Sequence, residues 1–95
     1  MGIMRIRFYT DEDTGLAHTE AHGVDPTEVL EVFQGRTQRG HGRDGAQIAE
    51  GQTRSGRYLR VVYRDNEFDG SILVITAYEL TGKAKAAYRR RNKRR

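Results

Sequence analysis

Tyr58-Leu-Arg-Val-Val-Tyr-Arg64, a polar turn ending at Asp69-Gly70, and Ser71-Ile-Leu-Val-Ile-Thr-Ala-Tyr78 decide how this 95-residue chain folds. The two runs are rich in β-branched and aromatic residues, and an Asp/Asn/Gly-rich segment separates them, which predicts an antiparallel strand pair. In the first run Leu59, Val61 and Tyr63 point one way, and Tyr58, Arg60, Val62 and Arg64 the other. The second is apolar on both faces, with Ile72, Val74 and Thr76 alternating against Leu73, Ile75 and Ala77, as expected of a strand inside a sheet. One face of the pair is therefore fit for a core. The other carries arginine and tyrosine and is read as the working surface.

Upstream, Ile3-Met-Arg-Ile-Arg-Phe-Tyr9 alternates and predicts another strand, with Met4, Ile6 and Phe8 on one side. Leu16 to His22 has room for two helical turns, capped by Asp13 or Thr14. Val24-Asp-Pro-Thr-Glu-Val29 is the strongest local signal. Asp25 is an N-cap, Pro26 suits the first helical position, Glu28 can close a capping box, and Val24 and Val29 stand at the positions of a hydrophobic staple. Val29, Leu30, Val32 and Phe33 form the stripe of a helix that ends at Gly35. The glycine- and arginine-rich stretch that follows reads as a loop through Asp44, then a strand over Gln47–Arg54 and a turn at Ser55-Gly56. Thr81 caps a last helix from Gly82 to about Arg91. The expected fold class is α+β: a small antiparallel sheet with helices packed on one face, in the order β-α-α-β-β-β-α.

The size suits one domain, over residues 1–90, followed by a basic tail at 91–95 without fixed structure. There is no cysteine and no apolar run near the ~18 residues of a membrane span, so a cytoplasmic location and no membrane partner are expected. The net charge of +4 conceals an asymmetry: all thirteen acidic residues lie at or before Glu79, and eight basic residues follow from Lys83 onward. Such a block points to a polyanion, most simply nucleic acid.

Aligned side by side, the strands offer Arg5, Arg7, Arg60, Arg64, Thr76 and Tyr78 on one face, with Tyr58 nearby. Arginine forks suit phosphates, and phenol rings suit stacked bases. RNA cleavage by 2′-hydroxyl attack needs a base, a cation and an acid. Arg60 and Arg64 are the candidate cations. Glu79, Lys83 or Lys85 are candidate bases, with Tyr78 or Tyr88 to position a base or pass a proton. His22 is read first as a structural residue holding the turn before Gly23, and a general acid/base role for it stays open because imidazole titrates near neutrality. Arg57, Arg89 and Arg90 complete the expected nucleic-acid contacts. His18 and His22 have a metal-ligand spacing but no evident third ligand, so no metal is expected. His41 has no assigned role. The phosphate-binding loop, the dinucleotide fingerprint and the nucleophile elbow are all missing, so no cofactor is expected either.

Several stretches stand in a familiar order: His22-Gly-Val24, the Glu28…Glu31-Val-Phe33 helix, Gly51-Gln-Thr53, Ser55-Gly-Arg57-Tyr-Leu-Arg-Val-Val-Tyr63, Ile72-Leu-Val-Ile-Thr-Ala77, and a basic helix containing Tyr88. In these the chain resembles the BrnT-like toxins of bacterial toxin–antitoxin pairs, within the RelE/ParE superfamily. The resemblance implies a ribonuclease toxin that cleaves mRNA, on or off the ribosome, and a cognate antitoxin protein that covers its basic surface. It departs at Tyr78, where those toxins often carry arginine. Arg57, Arg60, Lys83 and Tyr88 are the residues it carries over. Two other readings of the same residues stay open: a non-catalytic RNA-binding protein using the same face and tail, and a structural subunit whose loop and tail fold on a protein partner.

Overall fold

The computed structural model describes residues 5–66 and 68–93. Ile3 and Met4 of the first expected strand, and Arg94 and Arg95 of the expected tail, lie outside them. The fold is α+β. Its strands are β1 (Ile6–Phe8), β2 (Gln38–His41), β3 (Gln47–Gln52), β4 (Tyr58–Asp65) and β5 (Ile72–Glu79), and its helices are α1 (Pro26–Gln34) and α2 (Gly82–Lys93). The strands form one sheet in the order β1-β5-β4-β3-β2.

Helix α1 starts as its sequence dictates. Asp25 accepts from the Thr27 backbone N–H at 2.8 Å, and Glu28 accepts from the Asp25 N–H at 3.1 Å. Val24 and Val29 are both buried. Val29, Val32 and Phe33 pack on Ala49, Leu59, Val61, Tyr63, Val74 and Ala77 of the sheet. Leu30, counted in the stripe, is instead 38% exposed. At Gly51 a Cβ would come within 3.1 Å of Val32 Cγ1, so this glycine sets how closely α1 approaches β3.

Four expectations are corrected. First, β1 pairs parallel with β5, through Ile6↔Ile72 and Phe8↔Val74, so the sheet is mixed rather than antiparallel. Strand type is set by a partner more than sixty residues away, which local pattern does not reveal. Second, the stretch read as a loop contains β2, a strand without a β-branched residue, held by its ladder with β3. Third, the segment before α1 is a 3₁₀ turn at His18–His22, closed by Gly23 at φ 72°. Too few apolar residues are present to dock a full helix there.

Fourth, α2 lies on the opposite face of the sheet from α1. Its Tyr88 is 1% exposed and meets the Tyr58 ring edge-on at 5.7 Å. Tyr58 alternates with the core residue Leu59, so it faces away from α1. The helix also runs to Lys93, so residues 91–93 of the expected tail are helical.

A β-bulge decides what the outer face displays. Val62 pairs with Thr76 but Tyr63 pairs with Val74, leaving Ile75 as the extra residue. Strict alternation is broken, so Ile72, Val74 and Ala77 are all buried on the core side. Thr76 and Tyr78 are thereby placed opposite Val62 and Arg60. Among the described residues no helix is long and apolar enough to cross a membrane.

Candidate nucleic-acid interface

The outer face is built on three neighbouring strands. Glu50 of β3, Arg60 of β4 and Tyr78 of β5 are direct cross-strand partners in one row. Side chains so paired touch across the sheet. Arg60 Nε donates to Glu50 Oε2 at 2.6 Å, and its Nη1 donates to the Tyr78 hydroxyl at 3.4 Å. The guanidinium carbon lies 5.9 Å from the centre of the Tyr78 ring.

Helix α2 closes the other side of Glu50. Arg91 Nη2 donates to Glu50 Oε1 at 3.0 Å, and Arg91 Nε donates to Gln38 Oε1 at 2.8 Å. Glu50 is thus a buried carboxylate, 7% exposed, shared by two arginines. Burial works against the charged form of Arg60, but its bonds to Tyr78 and Glu50 outweigh it and raise its pKa above the ordinary value. The guanidinium is permanently charged, tied on one side and about one-third exposed on the other.

Among the described residues no strand pairs with the outer edge of β5 along its Tyr78 half, because β1 pairs only with Ile72 to Val74. The 3₁₀ turn packs beside β5 instead. Its exposed His22 ring comes within 6.4 Å of the Tyr78 ring. His22, Tyr78 and Arg60 therefore form one continuous group reaching from the edge to the middle of the face.

The remaining expected residues divide into three sets. Arg5, just before β1, and Arg7 on it are exposed and alternate with Ile6 and Phe8, which pack on the core, so they share the outer face. Arg64 is exposed toward the far end of β4; Lys83, Arg89 and Arg90 are exposed on α2. Lys85 sits 5.2 Å from the Tyr58 ring centre, next to buried Tyr88, and burial pushes the Tyr88 phenol above its ordinary pKa. Tyr88 is thus a packing residue, out of reach of a substrate.

Arg57 and Glu79 belong to the α1 side. Arg57 Nη1 donates to Glu28 Oε1 at 2.8 Å, to Glu28 Oε2 at 2.9 Å and to the Gly23 carbonyl at 3.1 Å, while its Nη2 donates to Glu79 Oε1 at 3.3 Å. The bonds to Glu28 hold Arg57 above its ordinary pKa. This pair clamps the start of α1 to the end of β5 and does not join Arg60. His41 is exposed at the end of β2.

Comparison with protein-family models, curated proteins and solved structures found no match. The interface is read from its own geometry. Sequence reasoning missed Glu50, Arg91 and Gln38. Glu50 carries a local signal, an acid between Ile48 and Gln52 on the side away from the core, but its partners come from strand register and helix placement.

Proposed function

We propose that this protein is the toxin of a toxin–antitoxin pair, an endoribonuclease of RelE-like architecture that cleaves mRNA without a metal. The observation that carries this reading is the Arg60–Tyr78 pair on the outer face with His22 beside it. A fixed guanidinium next to a phenol and an imidazole supplies the elements that 2′-hydroxyl attack requires. Arg60 stabilises charge on the phosphate oxygens, Tyr78 orients the nucleotide by stacking, and His22 exchanges a proton. Arg5, Arg7 and Arg64 extend the cationic surface along the strand. The antitoxin is expected to cover this face and so neutralise it.

A second reading rests on a different observation. Arg60 spends its Nε on Glu50, which ties the guanidinium to the protein itself. An RNA-binding protein without catalysis would use the exposed arginines for phosphates and leave Arg60 as a structural clamp.

One experiment separates the two readings. Induced expression of a toxin arrests growth, and Arg60→Ala or Tyr78→Ala relieves the arrest at equal soluble level. Purified protein then cleaves RNA in excess chelator. Unimpaired growth, with RNA bound but intact, selects the binding protein and rejects the nuclease.

A further inference from the structure

We infer that His18, held by Asp11, is the general base that works with His22 in RNA cleavage, so that the 3₁₀ turn at His18–His22 carries both proton-handling groups of the site. This rests on the nuclease reading and assigns its proton chemistry.

The geometry begins in the backbone. After β1 the chain turns back on itself: the Asp11 N–H donates to the Leu16 carbonyl at 2.9 Å, the His18 N–H donates to the Tyr9 carbonyl at 2.8 Å, and Thr10 bridges to Ala17. These main-chain bonds bring Asp11 and His18 together without help from their side chains. On top of them, His18 Nδ1 lies 3.0 Å from Asp11 Oδ1 and 3.2 Å from Oδ2. An ionised carboxylate only accepts, so Nδ1 carries the proton and neutral His18 presents Nε2 as its lone-pair nitrogen. Both side chains are about one-third exposed, so the pair is open to a ligand.

The second imidazole is adjacent. The His18 and His22 ring centres are 5.2 Å apart with planes at 80°, so the two imidazoles stand edge to face at one place on the turn. His22 then leads to Tyr78, and Tyr78 to Arg60. Among the described residues no three His, Asp or Glu side chains have metal-holding geometry. Of the other proton-transfer candidates, Glu79 is bonded to Arg57 and Tyr88 is enclosed beneath α2.

The roles follow from the partners. His18 accepts the 2′-hydroxyl proton as the 2′-oxygen bonds to phosphorus, and the Asp11 carboxylate stabilises the imidazolium that forms. The bond from phosphorus to the 5′-oxygen breaks, and that oxygen takes a proton from the His22 imidazolium. The products are a 2′,3′-cyclic phosphate and a 5′-hydroxyl, and nothing else is consumed. Asp11 is a positioning residue; His18 and His22 meet the reacting atoms. The titratable groups facing His18 are Asp11 from the loop, Tyr9 from the end of β1 and His22 from its own turn.

The test uses the full chain with a single-stranded RNA oligonucleotide in chelator, at single turnover from pH 5 to 9. Unaltered protein should give a bell-shaped profile. His18→Gln, whose amide can still bond Asp11, should lose about a hundredfold in rate and the low-pH limb with it. His22→Gln should lose the high-pH limb. Asp11→Asn should lower the single-turnover rate at saturating protein with the half-saturating concentration unchanged, and nitrogen-detected NMR should show His18 leaving the Nδ1–H tautomer. Thermal melts establish that the variants fold; if His18→Gln does not, Asp11→Asn decides.

Cleavage by His18→Gln and Asp11→Asn at the unaltered rate and profile, while Arg60→Ala is dead, overturns this assignment and leaves the nuclease reading standing. An Nε2–H tautomer of His18 in the unaltered protein also overturns it. No cleavage by the unaltered protein overturns both.

Discussion

On the proposed nuclease reading Arg60 has two tasks at once, and its replacement should report both. It is one of two cations that keep the carboxylate of Glu50 satisfied in a nearly closed position. Removing one partner of such a group leaves desolvated charge behind, and hydrogen bonds to charged groups contribute about 1.5–3 kcal/mol. Arg60→Ala should therefore lower the urea midpoint as well as activity, by an amount held below that range because Arg91 remains on Glu50. Glu50→Gln removes the charge that needed neutralising. The double variant Glu50→Gln/Arg60→Ala should cost less than the two single changes together, with a coupling of about 1 kcal/mol. Strict additivity in urea denaturation would show that the 2.6 Å contact contributes nothing to stability. Lysine is no substitute here, because one ammonium cannot reach Glu50 and Tyr78 with fixed forked donors.

At the scale of elements, α2 is held by a small anchor, and that anchor titrates. Tyr88 is almost fully enclosed against Tyr58, and burial raises the pKa of its phenol. A raised folded value means that the stabilisation is complete below the ordinary phenol range near 10 and is lost as pH rises through the folded value. Urea midpoints measured from pH 8 to 11 should fall more steeply for the unaltered protein than for Tyr88→Phe, with the difference opening above about pH 10. Parallel slopes would mean that Tyr88 ionises freely in place.

This helix also marks where the sequence stops being legible. The start of α1 could be read residue by residue because Asp25, Pro26 and Glu28 act on their own neighbours. The outward row of β4 could be read because alternation is a property of the backbone. The face that α2 covers, the parallel pairing of β1 and the bulge at Ile75 each depend on a distant partner. Within the site, Arg60, Tyr78 and His22 were visible as residue types, whereas Glu50 and Arg91 became meaningful only once β3 and α2 were set against β4.

Across the whole molecule, charge is distributed by element. The acids end at Glu79, and the basic block from Lys83 onward begins in α2, on the outer side of the sheet. That side also carries Arg5, Arg7, Arg60 and Arg64, so the helix adds to one cationic surface and does not create a second. Arg89 and Arg90 are exposed on it, while Arg91 is tied to Gln38 and Glu50. If RNA lies across this surface, the two exposed arginines meet phosphates and displace counterions. For a single strand each such contact contributes about 0.7 to the slope of log affinity against log salt. Replacing both with alanine should reduce the slope by about 1.4 and weaken binding similarly for any sequence. Arg91→Ala should instead act mainly through stability, since its Nε and Nη2 are already bonded to Gln38 and Glu50. Filter binding of one RNA at several salt concentrations distinguishes these outcomes. An unchanged slope in the Arg89/Arg90 double variant would place the polyanion elsewhere, with the strand arginines alone left to hold it.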